Sequence, residues 1–518
     1  RLFRSAPAVV DLAPPQPFSG RVLSVANNIC YITGLTEAQA GSVFEAQGSK
    51  WWVVALLRPY VIALKLSQSL PTLNQEIDSF QSKWIAPAGS STLGQVLQTF
   101  STTRLGVDVL KFLGTKPPLR ALTSGERLVT GFSALDLFSP LMIGQNVLFK
   151  GKKSSGKFEV LMNTAIEFLK HPDAAVVVAL ANPSRKSASV LSKLGDRAVV
   201  YANTVNDTDA SHALLPITAL ANAVTLKNEG KRVLFIVDDI QYIYAKEQAC
   251  FAELGYTPYN FQHLAYEHTK ASGTSSLTTI QLLHDHPEFP LILKNTVESI
   301  SQRIVTFAGS GVPALDVMQV YDKVNSQLLP PVFAVLQETL VRVLNVVRDL
   351  SENEEIKKRL GIYTEPWDKY LLLDSAYFMP LFNHSNPLSQ FQQLLWLQFL
   401  AYTLEHELVS TIKLNSQQTH AKFFEYAKIP HSLKSIEKKF LSFDLVEAKA
   451  TLVKLDEVLN KPFYDELRRE GHLKPYREDY EHLMSGSSDS TVSSLSQGEP
   501  TNTKQILQSR MENFFGLK

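Results

Sequence analysis

Eight consecutive residues, Gly151-Lys152-Lys153-Ser154-Ser155-Gly156-Lys157-Phe158, have the types and spacing to hold a polyphosphate. In the pattern G-x-x-x-x-G-K-[ST], the glycines let backbone N–H groups curl around phosphate oxygens, the lysine reaches the terminal phosphates, and the final hydroxyl ligates magnesium. Gly151, Gly156 and Lys157 meet three of these positions, with Ser154 and Ser155 inside the loop. The fourth is Phe158, which carries no ligand oxygen. Downstream, Val237-Asp238-Asp239 puts carboxylates at the end of an apolar run, where an acid that orients a magnesium shell belongs. The two motifs support each other as a nucleotide site whose metal ligand has been removed. His284-Asp285-His286 lacks a third ligand and reads as a solvated stretch, so no metal set is assigned.

The elements that must position these residues alternate. Val147-Leu148-Phe149 precedes the loop and Glu159 to Ala165 follows it, which is strand, loop, helix. Ala174–Leu180 and Leu234–Val237 are unbroken apolar runs, as expected of strands buried on both faces of a parallel sheet. Between them Pro216–Glu229 has helical spacing and Gly230 is a C-terminal stop. Before the core, short apolar runs separated by turn residues predict a small β-barrel or sandwich. After it, Val332–Leu350, Pro387–Lys413, His431–Ser442 and Asp444–Leu459 have helical apolar spacing, with Trp396 and Phe399 as core.

The fold class is thus an α/β core, a RecA-like parallel sheet with a phosphate loop, between an N-terminal β-barrel and a C-terminal α-helical domain. The expected divisions are an extended arm at 1–18, a barrel at 19–86, a nucleotide-type domain at 87–330, helices at 331–484, and a Ser-rich linker with a terminal amphipathic helix at 485–518. A chain of 518 residues with 45% hydrophobic and 19% charged residues has ample core and is not wholesale disordered. Its net charge of +1 gives no global pull toward nucleic acid or anionic membrane. Two cysteines, Cys30 and Cys250, exclude a disulfide scaffold. The basic opening Arg1-Leu2-Phe3-Arg4-Ser5 suits either an organelle presequence remnant or a boundary of the chain.

Several stretches carry a family resemblance. Gly20-Arg21-Val22-Leu23-Ser24-Val25 and Gly34-Leu35-Thr36-Glu37-Ala38 resemble the N-terminal barrel of the alpha subunit of F-type ATP synthase. Pro87-Ala88-Gly89-Ser90-Ser91-Thr92-Leu93-Gly94 resembles its link to the nucleotide domain, and Thr130-Gly131-Phe132-Ser133-Ala134-Leu135-Asp136 its approach to the phosphate loop. The loop falls where the family has GDRQTGKT, and Val237-Asp238-Asp239-Ile240 where it has YDDL.

The resemblance implies a non-catalytic subunit in a ring with beta-type subunits around central-stalk subunits, supporting proton-driven ATP synthesis. It also implies ATP or ADP as ligand and a place on the matrix side of the mitochondrial inner membrane. The departures point one way. Where beta has a base glutamate and alpha a glutamine, this chain has Ala181-Asn182, so no carboxylate positions an attacking water and no catalytic residue is assigned. Lys323 falls at the arginine-finger position, and loss of such a finger costs roughly 10³ to 10⁵ in rate. Val312 replaces an arginine used beside the nucleotide, and Phe158 disfavours magnesium. Weak or metal-independent nucleotide binding and an empty site both stay open. A second role also stays open, a paralogue recruited as scaffold or assembly factor in another organelle complex.

Overall fold

In the computed structural model, residues 20–473 are described except 27, 47, 58, 68–71, 78, 82–83, 102–105, 110–111, 113–124, 252–264, 266–267, 273–274, 286–289, 309–312, 316–328, 361–378, 383, 385, 406–411 and 428–432. The expected arm, Ser-rich linker and terminal helix, together with Val312 and Lys323, lie outside the described residues.

The alternating N-terminal runs form six antiparallel strands: β1 (Arg21–Ala26), β2 (Ile29–Thr33), β3 (Val43–Ala46), β4 (Ser49–Leu57), β5 (Tyr60–Lys65) and β6 (Ser79–Gln81). Their order is β1-β2-β5-β4-β3-β6. The outer edge of β1 is met by the segment entering β6: the Val22 N–H donates to the Gln75 carbonyl at 3.0 Å and the Asn74 N–H to the Val22 carbonyl at 2.8 Å. This is an antiparallel half-barrel. Alternation divides its side chains: Val22, Ile32, Phe44 and Trp51 fill its own core, while Trp52, Ile62 and Leu64 join the core of the larger sheet.

Two short pairs follow, β7 (Ile85–Ala86) with β9 (Val107–Asp108) and β10 (Arg127–Leu128) with β11 (Leu141–Met142). The central sheet holds β8 (Val96–Leu97), β12 (Asn146–Gly151), β13 (Ala174–Leu180), β14 (Ala198–Ala202), β15 (Arg232–Val237), β17 (Ser275–His284) and β18 (Arg303–Phe307). They are parallel, in the order β18-β12-β17-β15-β13-β14-β8, with β16 (Lys270–Ser272) antiparallel on β17. Every residue of β13 is buried. Val176, Val178 and Leu180 face one core and Ala175, Val177 and Ala179 the other, so helices cover both faces as the unbroken apolar run requires.

The helices of the core are α1 (Ser133–Phe138), α2 (Lys157–Phe168), α3 (Ser187–Leu194), α4 (Asp209–Asn228), α5 (Ile240–Phe251) and α6 (Leu291–Ile300). The helix expected to start at Pro216 starts at Asp209, with the Thr208 hydroxyl accepting from the Ser211 N–H at 3.3 Å. Pro216 sits inside it and removes one helical donor. Burial on nearly every side, including Leu214, Leu215, Ile217 and Leu220, outweighs that loss.

The C-terminal region is helical: α7 (Pro331–Leu360), α8 (Gln390–Glu405), α9 (Ser416–Ala427), α10 (Leu433–Glu437), α11 (Leu445–Leu455) and α12 (Lys461–Arg469). Asp444 caps α11 in a full capping box with Glu447. Helices α9 and α12 go beyond the sequence expectation. The expected helix at 431–442 is instead α10 followed by a separate 3-10 turn, Phe440–Ser442. Among the described residues no helix is long and apolar enough to cross a membrane. Buried Asp136 ties this region to the core, accepting from the Thr130 and Gly131 N–H groups (both 2.9 Å) and from Gln393 Nε2 at 2.8 Å.

In α5, Glu247 is buried, and burial pushes its carboxyl up to about 8. A folded-state value above the unfolded one means the associated stability is complete at low pH and is lost as pH rises through about 8. Urea titrations of wild type should show stability falling between about pH 4.5 and 8 by up to about 1.4 kcal/mol per pH unit and levelling off above, and Glu247→Gln should flatten the slope.

Candidate nucleotide site

The carboxyl ends of β12, β17, β15 and β13 lie side by side at one edge of the sheet, the usual place for a ligand in an open α/β sheet. Gly151 ends β12 with φ of 157°, and a Cβ there would come within 2.4 Å of the Phe307 carbonyl oxygen on β18. Only glycine fits that approach. Gly156, at φ 81°, caps α2 in the left-handed region. Ser154 is also left-handed, at φ 64°, and Ser155 is buried with its carbonyl accepting from the Ala314 N–H at 2.9 Å.

Lys157 begins α2 and is buried at 3% exposure. Its ammonium donates to the carbonyls of Gly151 (2.7 Å) and Lys152 (2.5 Å) and to Ser155 Oγ (3.1 Å). The loop's own oxygens thus surround the charge. Burial lowers its pKa to about 8 against the pull of Asp239, Asp285 and Glu159.

Phe158 points to a partner that pattern reading passed over. The Arg185 guanidinium carbon lies 3.7 Å from the centroid of its ring. Arg185 Nε lies 3.0 Å from Asp238 Oδ2. Asp238, at 0% exposure, takes the Ala181 N–H on Oδ1 at 2.6 Å. Burial raises its carboxyl to about 7, opposed by Arg185 and the Ala181 and Asn182 N–H groups. Ring, guanidinium and carboxylate form one stack from α2 to the tip of β15.

Asn182 follows β13, as the sequence placed it, and its amide oxygen accepts from the Ser184 N–H (3.0 Å) and hydroxyl (2.7 Å). Asp239 accepts from the Tyr242 N–H at 3.0 Å and stands 3.6 Å from His284 Nε2. His284 therefore faces the site rather than solvent, and burial lowers its pKa. Asp285 is exposed and pairs with Lys294 at 3.1 Å, and His286 lies outside the described residues. A cavity of about 500 Å³ opens beside the loop, with Lys153, Lys157, Arg185, Lys186 and Lys193 on its walls against Glu159.

The structure gathers Gly151, Ser154, Ser155, Gly156, Lys157 and Phe158 on one loop and reaches Asp238 through Arg185. The one signal for Arg185 was its place in the polar turn Asn182-Pro183-Ser184-Arg185-Lys186 after a core strand. Residues 131–284 match the model of the ATP synthase alpha/beta family, nucleotide-binding domain. The chain is similar to ATP synthase subunit alpha 1 of Dinoroseobacter shibae, 25% identical over 256 residues, 45% of this chain and 50% of the relative. It is also similar to ATP synthase subunit alpha of Jannaschia sp., 25% identical over 252 residues (43% of this chain, 48% of the relative). A third relative is ATP synthase subunit alpha of Buchnera aphidicola, 22% identical over 247 residues (45% and 48%). The likeness is to alpha-type subunits, as the sequence motifs implied, and the chain spans about half the length of these curated relatives.

Removing Arg185 leaves Asp238 buried without its cation. Arg185→Met should destabilise the fold by about 3 kcal/mol at pH 8 in chemical denaturation. With the carboxyl raised further above its unfolded value, stability is kept at low pH and lost as pH rises. The deficit should therefore shrink at pH 6, and it should disappear in an Asp238→Asn background.

Proposed function

We propose that the chain is a non-catalytic alpha-type subunit of an F-type ATP synthase head, alternating with beta-type subunits around central-stalk subunits. It supports proton-driven ATP synthesis through structure rather than turnover of its own. The half-barrel would serve as the N-terminal barrel of such a subunit, the central sheet as its nucleotide domain and α7 to α12 as its helical domain. The match of 131–284 to the alpha/beta family's nucleotide-binding domain, with the similarity to alpha subunits over about half their length, supports the assignment to the head.

The observation that carries the non-catalytic reading is at Asn182. Hydrolysis needs an acceptor that takes a proton from, or orients, the attacking water. At the tip of β13 that position holds an amide whose oxygen is already committed to Ser184. Bound ATP or ADP would therefore persist. The residues present do not fit a magnesium ion, since position 158 has no oxygen and Asp238 directs its oxygens at Arg185 and the Ala181 N–H.

Affinity purification of the tagged full chain should recover beta-type and central-stalk subunits, and the purified chain should release no phosphate from Mg-ATP above background. Turnover abolished by Lys157→Ala would overturn the non-catalytic reading. Recovery with unrelated proteins alone would overturn the head assignment in favour of a recruited scaffold.

A further inference from the structure

The residue that lacks a magnesium-ligating hydroxyl, Phe158, has a cation over its ring. Arg185 lies over the Phe158 ring, with its guanidinium carbon 3.7 Å from the centroid, and its Nε stands 3.0 Å from Asp238 Oδ2. A guanidinium is planar, weakly hydrated and suited to stacking, and its fork matches phosphate oxygens bidentately. Phe158 is thus a platform, and the carboxylate that would orient a metal shell positions an organic cation instead.

We propose that this loop binds a polyphosphate free of divalent metal, with Arg185 supplying the positive charge that magnesium would bring. The proposal rests on the reading of the site as a phosphate site. Three observations carry it. The cavity beside the loop, about 500 Å³, is within the range of small-ligand sites. Its walls carry Lys153, Lys157, Arg185, Lys186 and Lys193 against Glu159, a balance that suits a highly charged anion. The Lys157 ammonium is held by two carbonyls and a hydroxyl of its own loop, oxygens that phosphate oxygens replace without a change in chemistry. Magnesium is then an antagonist. It neutralises the phosphates before they meet the cations, it finds no hydroxyl at position 158, and the Asp238 carboxylate faces Arg185.

Calorimetric titration of the purified full chain with ATP, ADP and inorganic tripolyphosphate, each in EDTA and in excess magnesium, tests this. ATP and tripolyphosphate should bind in EDTA, and excess magnesium should weaken both by about tenfold. Binding of tripolyphosphate alone assigns the site to the phosphate chain; binding of ATP and ADP alone adds recognition of the nucleoside, and either supports the proposal. Arg185→Met should weaken metal-free binding by at least about tenfold, as loss of one charge-assisted contact predicts. Because that variant strands Asp238, the pair Arg185→Met with Asp238→Asn repeats the measurement in a chain whose melting temperature is checked first. Phe158→Leu, which keeps bulk and loses the aromatic face, should weaken binding by a few fold.

Binding that requires magnesium, an Arg185→Met affinity equal to wild type, or no heat from any ligand in EDTA would overturn the inference. Each of these leaves the non-catalytic subunit reading standing, since that depends on co-purification and on phosphate release.

Discussion

A carboxylate with no exposure to water must be answered from inside the protein, and the candidate site is organised by that constraint. Asp238 stands at the tip of β15 with one oxygen on the Ala181 N–H and the other on Arg185. The first bond locks the end of β13 to the end of β15. The second draws the turn after β13 over the start of α2, where Phe158 receives the guanidinium. An unpaired buried charge is costly, so carboxylate, turn and ring are held as one unit.

The same unit changes how the loop substitutions are to be understood. Taken singly, a phenylalanine in place of a hydroxyl and an amide in place of a carboxylate are losses. In the folded chain Phe158 has a specific partner and Asn182 shapes the turn that delivers Arg185, through its bonds to Ser184. The site is rebuilt around a fixed organic cation, while its phosphate loop keeps a backbone that only glycine permits at Gly151.

The surrounding architecture keeps this edge of the sheet rigid. Alternate residues of β13 anchor two separate cores, one shared with the C-terminal helices and one with the half-barrel. Asp136 adds a buried polar tie, joining the approach to the phosphate loop to Gln393 on α8. A chain whose role is structural within a ring, as proposed, needs such couplings more than it needs a mobile catalytic centre.

The sequence by itself determined what depends on neighbouring residues. Unbroken apolar runs specify strands buried on both faces, the Gly151–Phe158 spacing specifies a phosphate loop, and Ala181-Asn182 put no carboxylate directly after β13. Local pattern failed where burial overrode it, as at Pro216, which lies within a helix rather than at its start. It also missed α9 and α12. The tertiary structure alone decided the partners of Phe158, Arg185 and Asp238. These residues are far apart in sequence and belong to three different elements, and they meet only because the strand order brings β12, β13 and β15 to one edge. Side-chain type records what a residue is able to do; which charge it answers is set by the strands that pack beside it.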